Sequence, residues 1–273
     1  MDQIILDGLK FWGCHGITPE EKNKPQPFEV HLVLYRDLSR AGQTDSIDDT
    51  VDYSQVFADI RHIVEKESFN LLEKMADRIA AHVLGLNKVI TARVTVKKLK
   101  PPIGGEYRSF GVSIERKRVA GTAYLGLGTN LGDREKNLTE AAGYLEKLTS
   151  TRVLKYSSRY YTSPWGKTDQ PEFLNQAAAV ETYLTPRELL QEMLDIETLM
   201  GRKRLEKWEP RIIDLDLLLY GRQTIQEPDL TIPHPYLTQR EFVIRPLLEI
   251  EPDLQLPDGR LLKSEAGGVR SER

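Results

Sequence analysis

EPRIIDLDLLLYG, residues 209–221, reads as a strand with a fault in it. Without Asp214 and Asp216, what remains is Ile212, Ile213, Leu215, Leu217, Leu218 and Leu219, an apolar run of the length and composition of an interior β-strand. Strand side chains alternate faces, so residues two apart point the same way, separated by about 6.6 Å of rise. Both aspartates therefore face one side. Two anions this close repel unless something positive lies between them, and a pair of divalent cations about 3.5–4 Å apart would serve. The competing reading is an edge strand with a solvated face, and spacing alone leaves both open.

The chain has 273 residues, which predicts two domains with separate cores. Charged residues make up 29% and hydrophobic ones 40%, ordinary values for a globular protein. Of the 38 basic and 41 acidic residues, 18 and 17 precede position 119, leaving 20 and 24 after it. Neither half carries the positive field of a general nucleic-acid binder, so no nucleic-acid partner is expected. No apolar run approaches the roughly 20 residues of a membrane span, and MDQIILDGLK has no basic region leading into a hydrophobic one. The expected location is the cytoplasm, with no membrane partner. A single cysteine, Cys14, excludes an internal disulfide and a multi-cysteine zinc site.

Residues 1–118 show strand signals at 3–12 and 28–38, helical patterns at 53–68 and 71–84, and strand signals again near 89–99 and 109–117. This ββααββ order predicts a four-stranded antiparallel sheet covered on one face by two helices. Gly121 and the charge cluster before it mark a joint, so 119–121 is read as a linker. The pattern then restarts over 122–265: a strand at 122–128, a helix at 134–148, strands near 152–161 and 174–184, a helix to about 200, and the aspartate strand. That βαββαβ order predicts a ferredoxin-like second domain, and the whole chain is α+β. TPRE, residues 185–188, is a helix start, with Thr185 as N-cap, Pro186 at the first helical position and Glu188 closing a capping box. Residues 266–273 are read as a polar tail without packed structure.

The neighbours of the two aspartates weigh between the readings. GRKRLEKWEPR places Arg202, Arg204 and Arg211 within ten residues, and multi-donor guanidinium groups beside two carboxylates suit a metal-bound polyphosphate. Trp208 adds a large ring to the same connection, and TIPHPYLTQREF supplies His234, Arg240 and Phe242. LGLGTNLGD is a weaker signal, since it lacks the Walker A lysine and a full GxGxxG. Together LGTNLGD, TSPWG, QPEFLN, GRKR, WEPRIIDLDLLLYG and PHPYLTQREF resemble the 6-hydroxymethyl-7,8-dihydropterin pyrophosphokinases over nearly all of 122–262. The resemblance implies transfer of a pyrophosphoryl group from ATP to a pterin, with two magnesium ions held by Asp214 and Asp216. It implies Phe173, Asn175, Phe242, Trp208 and Thr162 as pterin-side positions. Glu197, Arg202, Arg204, His234 and Arg240 are implied around the nucleotide, with Arg202 and Arg211 also catalytic. The loop between Arg204 and Trp208 is a residue short against some members, and Glu209 replaces a small residue.

In the first half, Lys98 ends a strand before LKPPIGGEY, Glu73 sits in the first turn of a helix, and Glu21 and Tyr53 carry no signal of their own. GLKFWGCHGITPEE, DTVDYSQVF, NLLEKMADRIA and VKKLKPPIGG nevertheless run in the order seen in dihydroneopterin aldolases, over residues 3–117. The resemblance implies the tunnelling fold, ring-type homo-oligomers with sites between subunits, and retro-aldol cleavage of a dihydroneopterin without metal or other cofactor. It implies Glu73 as the carboxylate gripping the pterin edge, Lys98 as acid/base, Tyr53 as proton donor and Glu21 as a further site residue. Glu106, where some relatives carry histidine, receives no role. The product of the first reaction would be the substrate of the second, so pterins and ATP are the expected small-molecule partners. Two rivals concern the first half alone: side-chain epimerisation, and a catalytically silent assembly scaffold.

Overall fold

The computed structural model describes residues 1–164, 169–202, 210–264 and the backbone of 270–271. The chain divides into two compact units, Met1–Val119 and Ala120–Arg273. No helix among the described residues is long and apolar enough to cross a membrane.

In the first unit β1 (Asp2–Gly13), β2 (Gln26–Arg36), β3 (Thr91–Lys98) and β4 (Phe110–Lys117) form one antiparallel sheet in chain order. Alternation decides its inner face: Phe28, Val30, Leu32 and Leu34 of β2 and Ala92, Val94 and Val96 of β3 are fully buried. The helices α3 (Tyr53–Lys66) and α4 (Leu72–Leu84) cover that face with Val56, Ile60, Ile63, Met75, Ile79 and Val83. Two short helices absent from the sequence reading also occur, α1 (Pro19–Asn23) and α2 (Ser39–Thr44). The start of α1 uses the same chemistry as TPRE: Thr18 caps it and Glu21 closes a capping box, in the stretch TPEE. Five residues are too few to show a helical apolar period, so only the cap carried a signal.

The second unit is built on β5 (Gly121–Thr129), α5 (Arg134–Glu146), β6 (Thr151–Tyr156), β7 (Tyr160–Thr162), β8 (Phe173–Thr182), α6 (Pro186–Leu199) and β9 (Asp214–Tyr220). Every strand pair is antiparallel, and β8 and β5 are central, with β6 and β7 on the far side of β8 and β9 on the far side of β5. The expected single strand at 152–161 is two strands, because Ser157 turns inward and exchanges bonds with Ala177. Its N–H donates to the Ala177 carbonyl at 2.9 Å while its Oγ accepts from the Ala177 N–H at 2.9 Å. Thr185 and Glu188 make the capping box at the start of α6.

After β9 come a hairpin, β10 (Ile225–Glu227) and β11 (Leu230–Ile232), and a helix, α7 (Glu241–Ile250), none of them in the sequence reading. The sheet is consequently covered twice. Leu125, Leu215 and Leu217 pack with Leu138, Leu145, Leu189 and Met193 of α5 and α6, whereas Ala177, Ala179, Leu218 and Leu219 pack with Val243, Ile244 and Leu247 of α7. The register shift between Tyr124 and Leu125 opposite β9 lets Leu218 and Leu219 join the same core. β9 is an edge strand and not an interior one, yet its face is not solvated: only Asp214 and Asp216 on it keep partial exposure. The tail expectation is corrected at one point, since Arg270–Ser271, as β12, pairs with Tyr160–Tyr161. Edge pairing uses backbone groups and needs no apolar side chain.

Candidate active sites

Asp214 and Asp216 open β9 on the face covered by α7, and the residues opposite them on β5 are Gly128 and Gly126. Two glycines at i and i+2 remove side chains from one side of a strand, which keeps the floor beside the carboxylates open. A Cβ on Gly128 would lie 2.9 Å from Asn175 Oδ1. Over this floor lies a cavity, partly open to solvent, whose walls include Thr162, Phe173, Asn175, Arg211, Asp214, Asp216, Arg240 and Phe242. The structure thus gathers eight of the sequence-predicted residues into one concavity. Arg204 and Trp208 fall outside the described residues.

The two aspartates do not share a fate. Asp214 is clamped between Arg202 Nη1 and Arg211 Nη1, each at 2.6 Å. Arg202 also pairs with the buried Glu197, whose Oε1 accepts the Leu215 N–H at 2.8 Å. Asp216 makes no ion pair among the described residues. Burial, reinforced by the charge of Asp214, pushes its pKa up to about 7, against the opposing pull of Arg240. His234 is pushed down to about 4 by burial and by Arg240. It stays neutral, its Nδ1 accepting from the Tyr236 N–H at 3.3 Å. Arg240 lies 4.7 Å from the Tyr236 ring centroid and 5.7 Å from that of Phe242.

Asn175 is oriented from behind, donating through Nδ2 to Thr162 Oγ1 at 2.7 Å. Asn130 holds Arg211 by the backbone: its Oδ1 accepts the Arg211 N–H at 2.8 Å and its own N–H donates to the Arg211 carbonyl at 3.1 Å. Sequence reasoning missed Asn130, Gly126 and Gly128, because LGLGTN was weighed as a phosphate loop and not as a small-residue strand ending in an amide. The alternation of glycine with leucine was the available signal.

Among the described residues no three His, Cys, Asp or Glu side chains stand close enough to enclose a metal. Two hard carboxylate oxygens on one face do match the sparse protein coordination of magnesium, which keeps waters and takes substrate phosphates as its remaining ligands. The unbalanced charge at Asp216 is what such a cation would relieve.

In the first unit Lys98, at the end of β3, is 8% exposed and pairs with Glu21, itself buried. Glu21 Oε2 also accepts from the Thr18 N–H at 3.0 Å and its hydroxyl at 2.9 Å. The hydrogen bond from Lys98, with those from Thr18, holds the Glu21 carboxyl down at about 2 despite burial. Gly16 makes this possible: its φ is +145°, and a Cβ there would lie 2.5 Å from Glu21 Oε2. Tyr53, at the first turn of α3, is 68% exposed, and Glu73, in the first turn of α4, is exposed as well. One chain therefore brings Lys98 and Glu21 together and leaves Tyr53 and Glu73 facing outward. Glu106 is exposed in the loop after Pro102.

Comparison with known proteins places both units. Residues 4–115 match the family model described as dihydroneopterin aldolase, and residues 124–252 match that of 7,8-dihydro-6-hydroxymethylpterin-pyrophosphokinase. A 2-amino-4-hydroxy-6-hydroxymethyldihydropteridine pyrophosphokinase from Methylorubrum extorquens is 46% identical over 132 residues, covering 48% of this chain and 84% of that protein. The folic acid synthesis protein fol1 of Pneumocystis carinii is 34% identical over 277 residues, or 94% of this chain; this chain spans 36% of its length. The solved E. coli dihydroneopterin aldolase in complex with neopterin aligns with a TM-score of 0.40 at 23% identity, covering 42% of this chain and 99% of that one. The chain therefore belongs to the 7,8-dihydro-6-hydroxymethylpterin-pyrophosphokinase family and joins to that unit a dihydroneopterin aldolase unit, two activities of folate biosynthesis in one polypeptide.

Proposed function

We propose that the second unit transfers the β,γ-pyrophosphoryl group of ATP to the hydroxymethyl oxygen of 6-hydroxymethyl-7,8-dihydropterin. That oxygen attacks the β-phosphorus and loses its proton to solvent, the bond from the β-phosphorus to the bridging oxygen of the α-phosphate breaks, and AMP leaves. The observation that carries this reading is the unequal carboxylate pair on the floor of an aromatic-walled cavity. Asp214 and Asp216 would hold two magnesium ions, which when bound neutralise charge on the transferring phosphates. Arg202, Arg211 and Arg240 are multi-donor cations suited to phosphate oxygens, with Arg204 and Glu197 on the nucleotide side. His234, neutral near pH 7, offers a hydrogen bond without adding charge. Phe173 and Phe242 supply flat apolar faces for the pterin, Asn175 its edge bonds, and Trp208 a ring for closing the site. We read the second unit as ferredoxin-like, a reading supported by its antiparallel strand order.

For the first unit we propose cleavage of 7,8-dihydroneopterin. The C2′ hydroxyl gives up its proton as the C1′–C2′ bond breaks, the bond's electrons enter the ring imine as that nitrogen is protonated, and glycolaldehyde departs. Protonation at C1′, with loss of the proton from the ring nitrogen, then gives 6-hydroxymethyl-7,8-dihydropterin. Lys98 moves the protons, Glu21 holds its ammonium, Tyr53 supplies a further hydroxyl and Glu73 takes the adjacent N–H donors of the pterin edge. The exposure of Tyr53 and Glu73 supports a site completed by a second copy in a ring-type homo-oligomer.

A single incubation with dihydroneopterin, ATP and magnesium should yield glycolaldehyde and AMP together, and omitting ATP should stop AMP alone. An epimerised side chain without glycolaldehyde would replace the aldolase reading with an epimerase; no turnover in the first unit would make it a scaffold. Light scattering of the full chain showing a monomer at working concentration would remove the shared site.

A further inference from the structure

His15 is 2% exposed and has no part in the chemistry assigned above, yet it sits where the first unit's segments meet. Its Nε2 lies 2.7 Å from the Val64 carbonyl at the end of α3, and the Phe69 N–H, in the connection to α4, points at its Nδ1 from 3.2 Å. A carbonyl can only accept and an amide N–H can only donate, so the ring is neutral with its proton on Nε2. Burial also lowers its pKa, in keeping with a neutral ring. The ring meets Phe28 edge-on at 4.9 Å between centroids and stacks on Phe69 at 5.5 Å.

The backbone of the same residue faces Lys98. The His15 carbonyl accepts from Gln26 Nε2 at 2.8 Å and from Lys98 Nζ at 3.4 Å. The next residue continues the tie, Gly16 N–H donating to the Phe69 carbonyl at 2.9 Å. Gly13 leaves no space for change, since a Cβ there would fall 2.3 Å from both His15 Nε2 and the Val64 carbonyl oxygen. The ring thus locks the β1–α1 turn, which leads into α1 and Glu21, against α3 and against the segment that leads to Glu73.

We propose that His15 is a positioning residue for carbon–carbon bond cleavage, its side-chain bonds to Val64 and Phe69 holding the carbonyl that, with Glu21, fixes the Lys98 ammonium. The proposal rests on the reading of Lys98 as the proton-transfer group. A buried histidine that merely fills the core would alter the amount of folded protein; a positioning residue alters turnover per folded site.

The test uses the full chain and four proteins: wild type, His15→Phe, His15→Gln and Lys98→Ala. First-unit sites are counted by titration with neopterin, the oxidised form of that unit's substrate, glycolaldehyde release gives kcat per site and KM, and AMP formation by the second unit is followed in separate samples supplied with 6-hydroxymethyl-7,8-dihydropterin, ATP and magnesium. His15→Phe keeps the aromatic contacts and loses both ring hydrogen bonds, so kcat per site should fall by about tenfold or more, with KM within about twofold and AMP formation unchanged. His15→Gln, whose amide can still donate toward Val64, should lie about two- to fivefold below wild type. Wild-type kcat per site in His15→Phe, or equal losses in the two variants, would overturn the proposal. If His15→Phe binds no neopterin, His15→Gln decides alone: a two- to fivefold loss at constant KM supports the proposal and wild-type turnover overturns it. Undiminished cleavage by Lys98→Ala would instead overturn the site reading on which the proposal rests.

Discussion

Asn130 grips the backbone of Arg211 from both sides, accepting its N–H and donating to its carbonyl, although 81 residues separate them in sequence. The amide also donates through Nδ2 to Gln170 Oε1 at 3.0 Å. A single buried residue, through its side-chain oxygen and its own backbone N–H, thus aims the residue that clamps Asp214.

Asn130→Ala should lower AMP formation by about ten- to a hundredfold while the first unit retains its glycolaldehyde release, because small misplacements at a transferring group are costly. It should also lower stability by about 1–3 kcal/mol through the stranded Arg211 N–H, measurable by denaturant unfolding. Full activity would show that Arg211 is aimed by something else.

Asp216 should make metal-free stability depend on pH. Its pKa rises from 3.8 to about 7 on folding, so the folded state favours the protonated form. The resulting stabilisation is complete below pH 3.8 and is lost as pH rises through 7. In chelator, wild type should therefore lose melting temperature relative to Asp216→Asn between those values, and magnesium should narrow the gap. The same variant should form no AMP; near-normal turnover with magnesium would remove the metal assignment.

Glu21 carries the opposite sign. Its pKa falls from 4.5 to about 2, through the Lys98 hydrogen bond first, so its contribution is present above 4.5 and is lost as pH drops through 2. Glu21→Ala leaves Lys98 buried without its partner and should destabilise the first unit by about 3–5 kcal/mol. Chemical denaturation of wild type and variant at neutral pH checks the difference, and acid titration of wild type checks the window.

Gly128→Ala should raise the pterin KM of the second unit by about tenfold with little change in the nucleotide KM, as expected when one binding contact is displaced. The added Cβ would meet Asn175 Oδ1 at 2.9 Å, and turning that amide away breaks its bond to Thr162. Equal effects on both substrates would show a general distortion of β5.

The first unit's sheet and its two long helices were legible because their periods are long and clean, as in the alternation of Phe28, Val30, Leu32 and Leu34; in the second unit TPRE announces α6 by capping chemistry that is local. The residue types of the candidate sites were legible too, since carboxylates two apart in an apolar run stand out wherever the chain places them. The helix α7 was not, because PHPYLTQREFVIRPL mixes proline with a short apolar period, and what makes it a helix is the second sheet face it covers. Nor could the chain alone say that Asp214 is neutralised by two arginines while Asp216 is not. Charge and burial are set by distances among residues far apart in sequence, and those distances exist only after β9 lies beside β5 and α7 closes over them.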